Sequence, residues 1–184
     1  KSSYWATTRT LQALRPGHSY AWCVSLDKFE RATHNTWWII VGVESPQFRF
    51  DNQLGNDVIG YQSEHVGAGL IIGNVKGAHA GERVDCVTSG VVLKAGDVIR
   101  IEFDMTLSSE DADKQLNQMC QTSGVHTVMT RKHELGARIM FHLIRDDEPQ
   151  PVPLVTINNI RGQLFYPTVS MNQEMAVTIK PIYL

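Results

Sequence analysis

Cysteine is scarce in this sequence: Cys23, Cys86 and Cys120 are an odd count at wide spacing among 184 residues. That excludes the even disulfide framework of a small secreted scaffold and offers no C-x-x-C pair, so a reducing, intracellular setting is expected. Long apolar runs are missing as well. The longest, such as Trp37 to Val43, fall far short of the roughly 20 residues a helix needs to span a bilayer, and no membrane role is expected. No one sign of charge dominates, since 17 basic against 19 acidic side chains give a net charge of −2. Phosphate backbones and anionic lipid therefore exert no general pull, and an RNA-associated role would need a local basic patch. No signal-peptide pattern opens the chain, which does not start with Met; a single domain over 1–184, excised from a longer protein, is expected.

Catalytic signatures are also lacking. The seven histidines, at 18, 34, 65, 79, 126, 133 and 142, show neither H-E-x-x-H nor another close ligand spacing, so no metal and no cofactor are expected. There is no G-x-S-x-G elbow, and Cys23 sits inside a strand pattern where a small buried hydrophobe is the default. Gly67 to Gly73 has the wrong glycine spacing for a dinucleotide fingerprint and reads as a strand-edge segment; Gly73, Gly77 and Gly81 suit a mobile surface loop containing Lys76 and His79. The acidic runs Glu110-Asp111 and Asp146-Asp147-Glu148 read as solvated loops. Glu102 and Asp104 share one strand face, a spacing a paired-carboxylate glycanase could use.

What the chain does contain is period-two alternation. With 42% hydrophobic residues it can bury roughly 70% of its unfolded surface without staples. Tyr20, Trp22, Val24 and Leu26 alternate with Ala21, Cys23, Ser25 and Asp27; Ile99, Ile101, Phe103 and Met105 alternate with Arg100, Glu102 and Asp104. Each set predicts a half-buried strand. Trp37 to Val43 is apolar on both faces and predicts a central strand. Further strands are predicted at Ile139 to Leu143, Leu164 to Val169 and Met175 to Ile179. Ala112, Leu116, Met119 and Cys120 fall instead at helical spacing behind Ser108 or Ser109, with acids in the first turn, predicting a short helix within 108–121 and an edge strand at 125–129. Glu148 to Pro153 reads as a proline-stiffened loop. Short strands with few helical patterns imply an all-β, two-sheet antiparallel β-sandwich.

Taken in order, these segments resemble the SPRY family. Gly17 to Val24 is similar to its "G-x-h-Y-W-E-V-x-V" opening strand, Trp37 to Val43 to "w-x-v-G-v", and Leu54 to Tyr61 to its glycine- and aromatic-containing segment. Ala95-Gly96-Asp97-Val98-Ile99 through Asp104 matches "x-G-D-v-I-x-x-x-x-D", Ile139 to Leu143 resembles "I-s-F-x-l", and Leu164 to Ser170 resembles "l-x-P-a-v-s". The resemblance covers about residues 17 to 180. It implies a lectin-like sandwich and a noncatalytic module that recognises a peptide segment or protein surface through its loops, as part of an adaptor, ubiquitin-ligase or RNA-associated assembly. A carbohydrate-binding, lectin-like module is the alternative.

Two departures stand out. Ile144-Arg145-Asp146-Asp147 replaces the usual short turn with "N-G", and an insertion at 106–136 separates two strands the family joins by a shorter hairpin. Matched by position, the resemblance implies partner contacts at Arg15 and Pro16 before the opening strand, at Tyr61 or the stretch ending in His79, and at Met171, Asn172 and Gln173 before the last strand. That final turn lacks the aromatic residue several peptide-binding members place there, so no motif preference follows.

Overall fold

The computed structural model describes residues 5–29, 39–46, 59, 67–106, 136–162, 164–172 and 175–182. Eleven strands form in chain order: β1 (Trp5–Arg9), β2 (Ser19–Lys28), β3 (Ile39–Glu44), β4 (Ala68–Ile71), β5 (Lys76–His79), β6 (Glu82–Val84), β7 (Val98–Asp104), β8 (Ala137–Ile144), β9 (Val152–Ile160), β10 (Tyr166–Asn172) and β11 (Ala176–Ile182). They make two antiparallel sheets, one ordered β1-β10-β3-β4-β5-β6 and the other β11-β2-β7-β8-β9. The all-β sandwich is therefore as the alternation predicted. The helix expected within 108–121, the strand at 125–129 and the pair Trp37-Trp38 lie outside the described residues.

Alternation builds the core between the sheets. Trp22, Val24 and Leu26 of β2, Ile99, Ile101 and Phe103 of β7, and Ile139, Phe141 and Leu143 of β8 all turn inward and are buried. Ile39, Val41 and Val43 of β3 and Leu70 of β4 meet them from the other sheet. Phe103 and Phe165 cross edge to face with centroids 5.2 Å apart, the arrangement their ring quadrupoles favour. β3 is buried along its whole length because Ile40 on its other face joins Ile59, Ile71 and Ala78 in a second apolar cluster. That second layer explains why the segment carries no polar face.

Four expectations need correction. Cys23 is not a buried core residue: it is half-buried on the outward face of β2, because the alternation that turns Trp22 and Val24 inward turns it out. Gly67 to Gly73 is not a strand edge: β4 lies inside the six-stranded sheet between β3 and β5, and all four of its residues are buried. Lys76 to His79 is not a mobile loop but β5, where the missing side chain of Gly77 leaves room for Val155 and Ile157 of the opposite sheet. The proline-stiffened loop ends sooner than predicted, since β9 starts at Val152 and takes in Pro153.

Candidate functional site

Register assigns every connection to one of two ends of the sandwich. β2 starts level with Asp104 and finishes level with Val98, while β8 runs back from Arg138 to Ile144. In the other sheet Tyr166 stands level with Glu44, and Met171 with Ile39. Gly17 donates to the Met105 carbonyl at 3.0 Å and Leu14 pairs with Phe165, so the Ser19, Asp104 and Tyr166 ends lie together. Connections 10–18, 45–67, 80–81, 105–136 and 161–165 leave from this end. The opposite end carries 29–38, 72–75, 85–97, 145–151 and 173–175. Both of the longest connections thus emerge together, and long connections on a rigid scaffold are where sandwich domains place recognition.

The base of this end is tightly built. The Tyr20 hydroxyl accepts from the Arg15 amide at 3.0 Å and donates to the Arg15 carbonyl at 3.3 Å, holding the 10–18 loop by its backbone. Arg15, Pro16 and His18 remain exposed. His79 is half-buried, and with its Nδ1–H donating it reaches the Gly67 carbonyl at 2.9 Å. The ring thereby anchors the end of connection 45–67. A two-residue turn with positive φ at Ala80 (48°) and Gly81 (79°) sets this hairpin, as a tight antiparallel turn requires. Beside Gly67 packs the buried Glu44 carboxylate, in the place a side chain there would occupy.

Asp104 ties down both stems of the 106–136 insertion. Its Oδ1 accepts from Ser19 Oγ at 3.1 Å and from the Thr106 amide at 2.9 Å, and the Thr106 hydroxyl donates to it as well. Arg138, at the start of β8, reaches Oδ2 at 3.3 Å. Burial alone would raise the Asp104 pKa, but hydrogen bonds from Thr106, then Ser19, and the Arg138 charge outweigh it and hold the carboxyl below its ordinary value. A depressed carboxylate contributes stability above its unfolded pKa, near 4, and loses it as pH falls through the folded value. Asp104→Asn should therefore cost about 1 kcal/mol at neutral pH. Urea titrations should show that difference shrinking as the pH drops below about 4.

This arrangement disfavours the glycanase geometry. Glu102 lies 2.8 Å from Arg100 Nε, and Asp104 is a depressed, fully engaged acceptor, whereas a general acid at neutral pH needs a raised pKa. Among the described residues no cluster of three histidine, cysteine or acidic side chains is placed to hold a metal, and no helix is long and apolar enough to cross a membrane.

The residues expected to contact a partner do not all gather. Arg15, Pro16 and His79 share the end just described. Met171 and Asn172 close β10 at the other end, with Asn172 level with Trp5. Six residue steps of β10 separate the two ends, about 20 Å. Tyr61 and Gln173 lie outside the described residues. Sequence reasoning missed the Tyr20 anchor and the Asp104 clamp, although Asp104 with Thr106 two positions on is the spacing of a local carboxylate-to-backbone cap.

No family model and no curated protein sequence matches the chain. Solved structures do. The chain is similar to the TRIM65 PSpry domain, with a TM-score of 0.53 at 16% identity over 97% of this chain and 71% of that one. It is also similar to stonustoxin, with a TM-score of 0.54 at 9% identity over 96% of this chain. This chain corresponds to only 20% of the stonustoxin chain. The fold is thus the SPRY-type β-sandwich that the ordered strand motifs resembled.

Proposed function

We propose that this chain is a noncatalytic protein-interaction module that grips a peptide segment or a protein surface with the strand end carrying connections 10–18, 45–67 and 105–136. The observation that carries the proposal is the emergence of the two longest connections at one end of a SPRY-type sandwich, around a base fixed by Tyr20, His79 and Asp104. Arg15, Pro16 and His18 supply exposed contact groups there. Met171 and Asn172, at the far end of β10, fall outside this surface. A place in an adaptor, ubiquitin-ligase or RNA-associated assembly, and an intracellular setting, belong to the same proposal and rest on the sequence resemblance and cysteine usage.

The test compares three immobilised proteins in native extract: the wild type, a variant with the exposed Arg15, Pro16 and His18 all replaced by Ser, and a variant with residues 146–150 replaced by a Gly-Ser linker at the opposite end. Quantitative mass spectrometry should find a polypeptide enriched by the wild type, depleted at least tenfold by the first variant and retained by the second. Equal retention by both variants, or loss only in the second, contradicts the proposal.

A further inference from the structure

The outward face of the five-stranded sheet carries a feature the loop end does not use. Along β2 the outward residues are Ser19, Ala21, Cys23 and Ser25, all small, followed by Asp27. Taller side chains stand on both sides. Cys23 is level with Lys180 of β11 on one flank and with Arg100 of β7 on the other, and Arg100 is level in turn with His142 of β8. Strands lie about 4.8 Å apart, so the Lys180 and Arg100 backbones are roughly 10 Å apart with the thiol between them. Burial raises the Cys23 pKa while the Arg100 and Lys180 charges oppose it, which places both cations close to the sulfur.

The row is short of negative charge. Arg100 Nε is enclosed 2.8 Å from the Glu102 carboxylate but lacks hydrogen-bond geometry, and His142 Nδ1 is enclosed without a partner. Among the described residues Lys180 forms no ion pair. The other acids on this face are occupied, Asp104 by Ser19, Thr106 and Arg138, and Asp27 by the Thr178 hydroxyl at 2.6 Å. The cross-strand row Lys180, Cys23, Arg100 and His142 thus holds no carboxylate of its own, and Glu102, two residues along β7, pairs with Arg100 alone. Lys180 and Arg100 stand on the two strands flanking β2, and an anion seated over Cys23 between them would meet both cations.

We propose that this trough binds an extended acidic segment of a partner polypeptide lying along β2, with one carboxylate held between Lys180 and Arg100. A small-residue floor admits a peptide backbone, and the stretch Ser19 to Ser25 is about 20 Å long, enough for six residues in extended form. A planar guanidinium matches a carboxylate with two parallel hydrogen bonds. A nucleic acid strand fits less well, because two fixed cations neutralise too few phosphates in a chain of net charge −2.

The test uses the full 184-residue chain in an amide chemical-shift titration with a hexapeptide alternating Ser and Glu, its Ser-Gln counterpart, and inorganic phosphate. The acidic peptide should shift Cys23, Arg100 and Lys180 saturably, the Ser-Gln peptide should not, and R100Q/K180Q should weaken binding at least tenfold while melting like the wild type. The variant with Arg15, Pro16 and His18 replaced by Ser should bind the peptide unchanged, which separates this surface from the loop end. On the wild type, the peptide should slow alkylation of Cys23 by iodoacetate, read by peptide mapping, so the result does not depend on the double variant folding. Shifts that persist with the Ser-Gln peptide, survive R100Q/K180Q, or are matched by phosphate at equal concentration overturn the proposal.

Discussion

Gly42→Val should leave no folded protein. Gly42 sits mid-strand in β3, level with Thr168 of β10 on one side and Gly69 of β4 on the other. A Cβ there would overlap the Ala68 carbonyl oxygen and come within 2.6 Å of Gly69 Cα. Both obstacles are backbone in a central strand pair, so no rotamer change relieves them. Relief requires β4 to move away, and β4 is packed by Leu70 against the main core and by Ile71 against the second cluster. The cost should exceed about 4 kcal/mol, the range reserved for gross steric or core failure. That approaches the lower end of the roughly 5–15 kcal/mol by which a domain is stable, and displacement of β4 adds the loss of its packing on both clusters. Soluble yield and a circular-dichroism melt provide the measurement; a variant melting within about 3 °C of wild type would contradict the close approach.

The second large effect is expected at Arg145. Asp97 is only 2% exposed, and its carboxylate is fully used: Arg145 Nε donates to Oδ1 at 2.8 Å, while the Arg145 terminal nitrogen and the Lys94 amide donate to Oδ2 at 2.7 and 2.9 Å. The same terminal nitrogen also reaches the Val92 carbonyl at 2.8 Å. These bonds lock the entry to β7 onto the chain leaving β8. Arg145→Ala strands a buried carboxylate, which typically costs 3–5 kcal/mol, a melting-temperature drop of roughly 6–20 °C for a domain of this size. Removing both charges should hurt less than removing one. In a double-mutant cycle, Asp97→Asn with Arg145→Met should therefore recover part of the loss. Additive losses would contradict the coupling.

That ion pair also shows how far the sequence could be read. Gly96-Asp97 was legible as the turn into an alternating strand, and Arg145 as a departure from the SPRY pattern. Their pairing across β7 and β8 was not, because it depends on register rather than on local pattern. β2, β7 and β8 were legible because each has one face on the core and one on water. β4 and β5 were obscured by glycines, which here permit close packing rather than turning, and β9 by its prolines and a register irregularity beside Pro153. Missing such strands has a further consequence. Which end of a sandwich a loop occupies depends on the direction of every strand before it, so Met171 and Asn172 could be grouped with Arg15 although β10 carries them to the far end. The small residues on one face of β2 were visible as alternation, but the trough was not, because its flanking cations come from strands far apart in sequence and Cys23 read as a buried hydrophobe.

Photo-crosslinking tests most directly whether recognition belongs to one end of the sandwich. A benzophenone side chain would be placed singly at Arg15 and at Arg161 on the long-loop end, and at Lys28 and Glu148 on the other, all exposed positions. The same partner polypeptide should be captured from Arg15 and Arg161 and not from Lys28 or Glu148. Capture of that partner equally from both ends, or only from Lys28 and Glu148, would contradict the account.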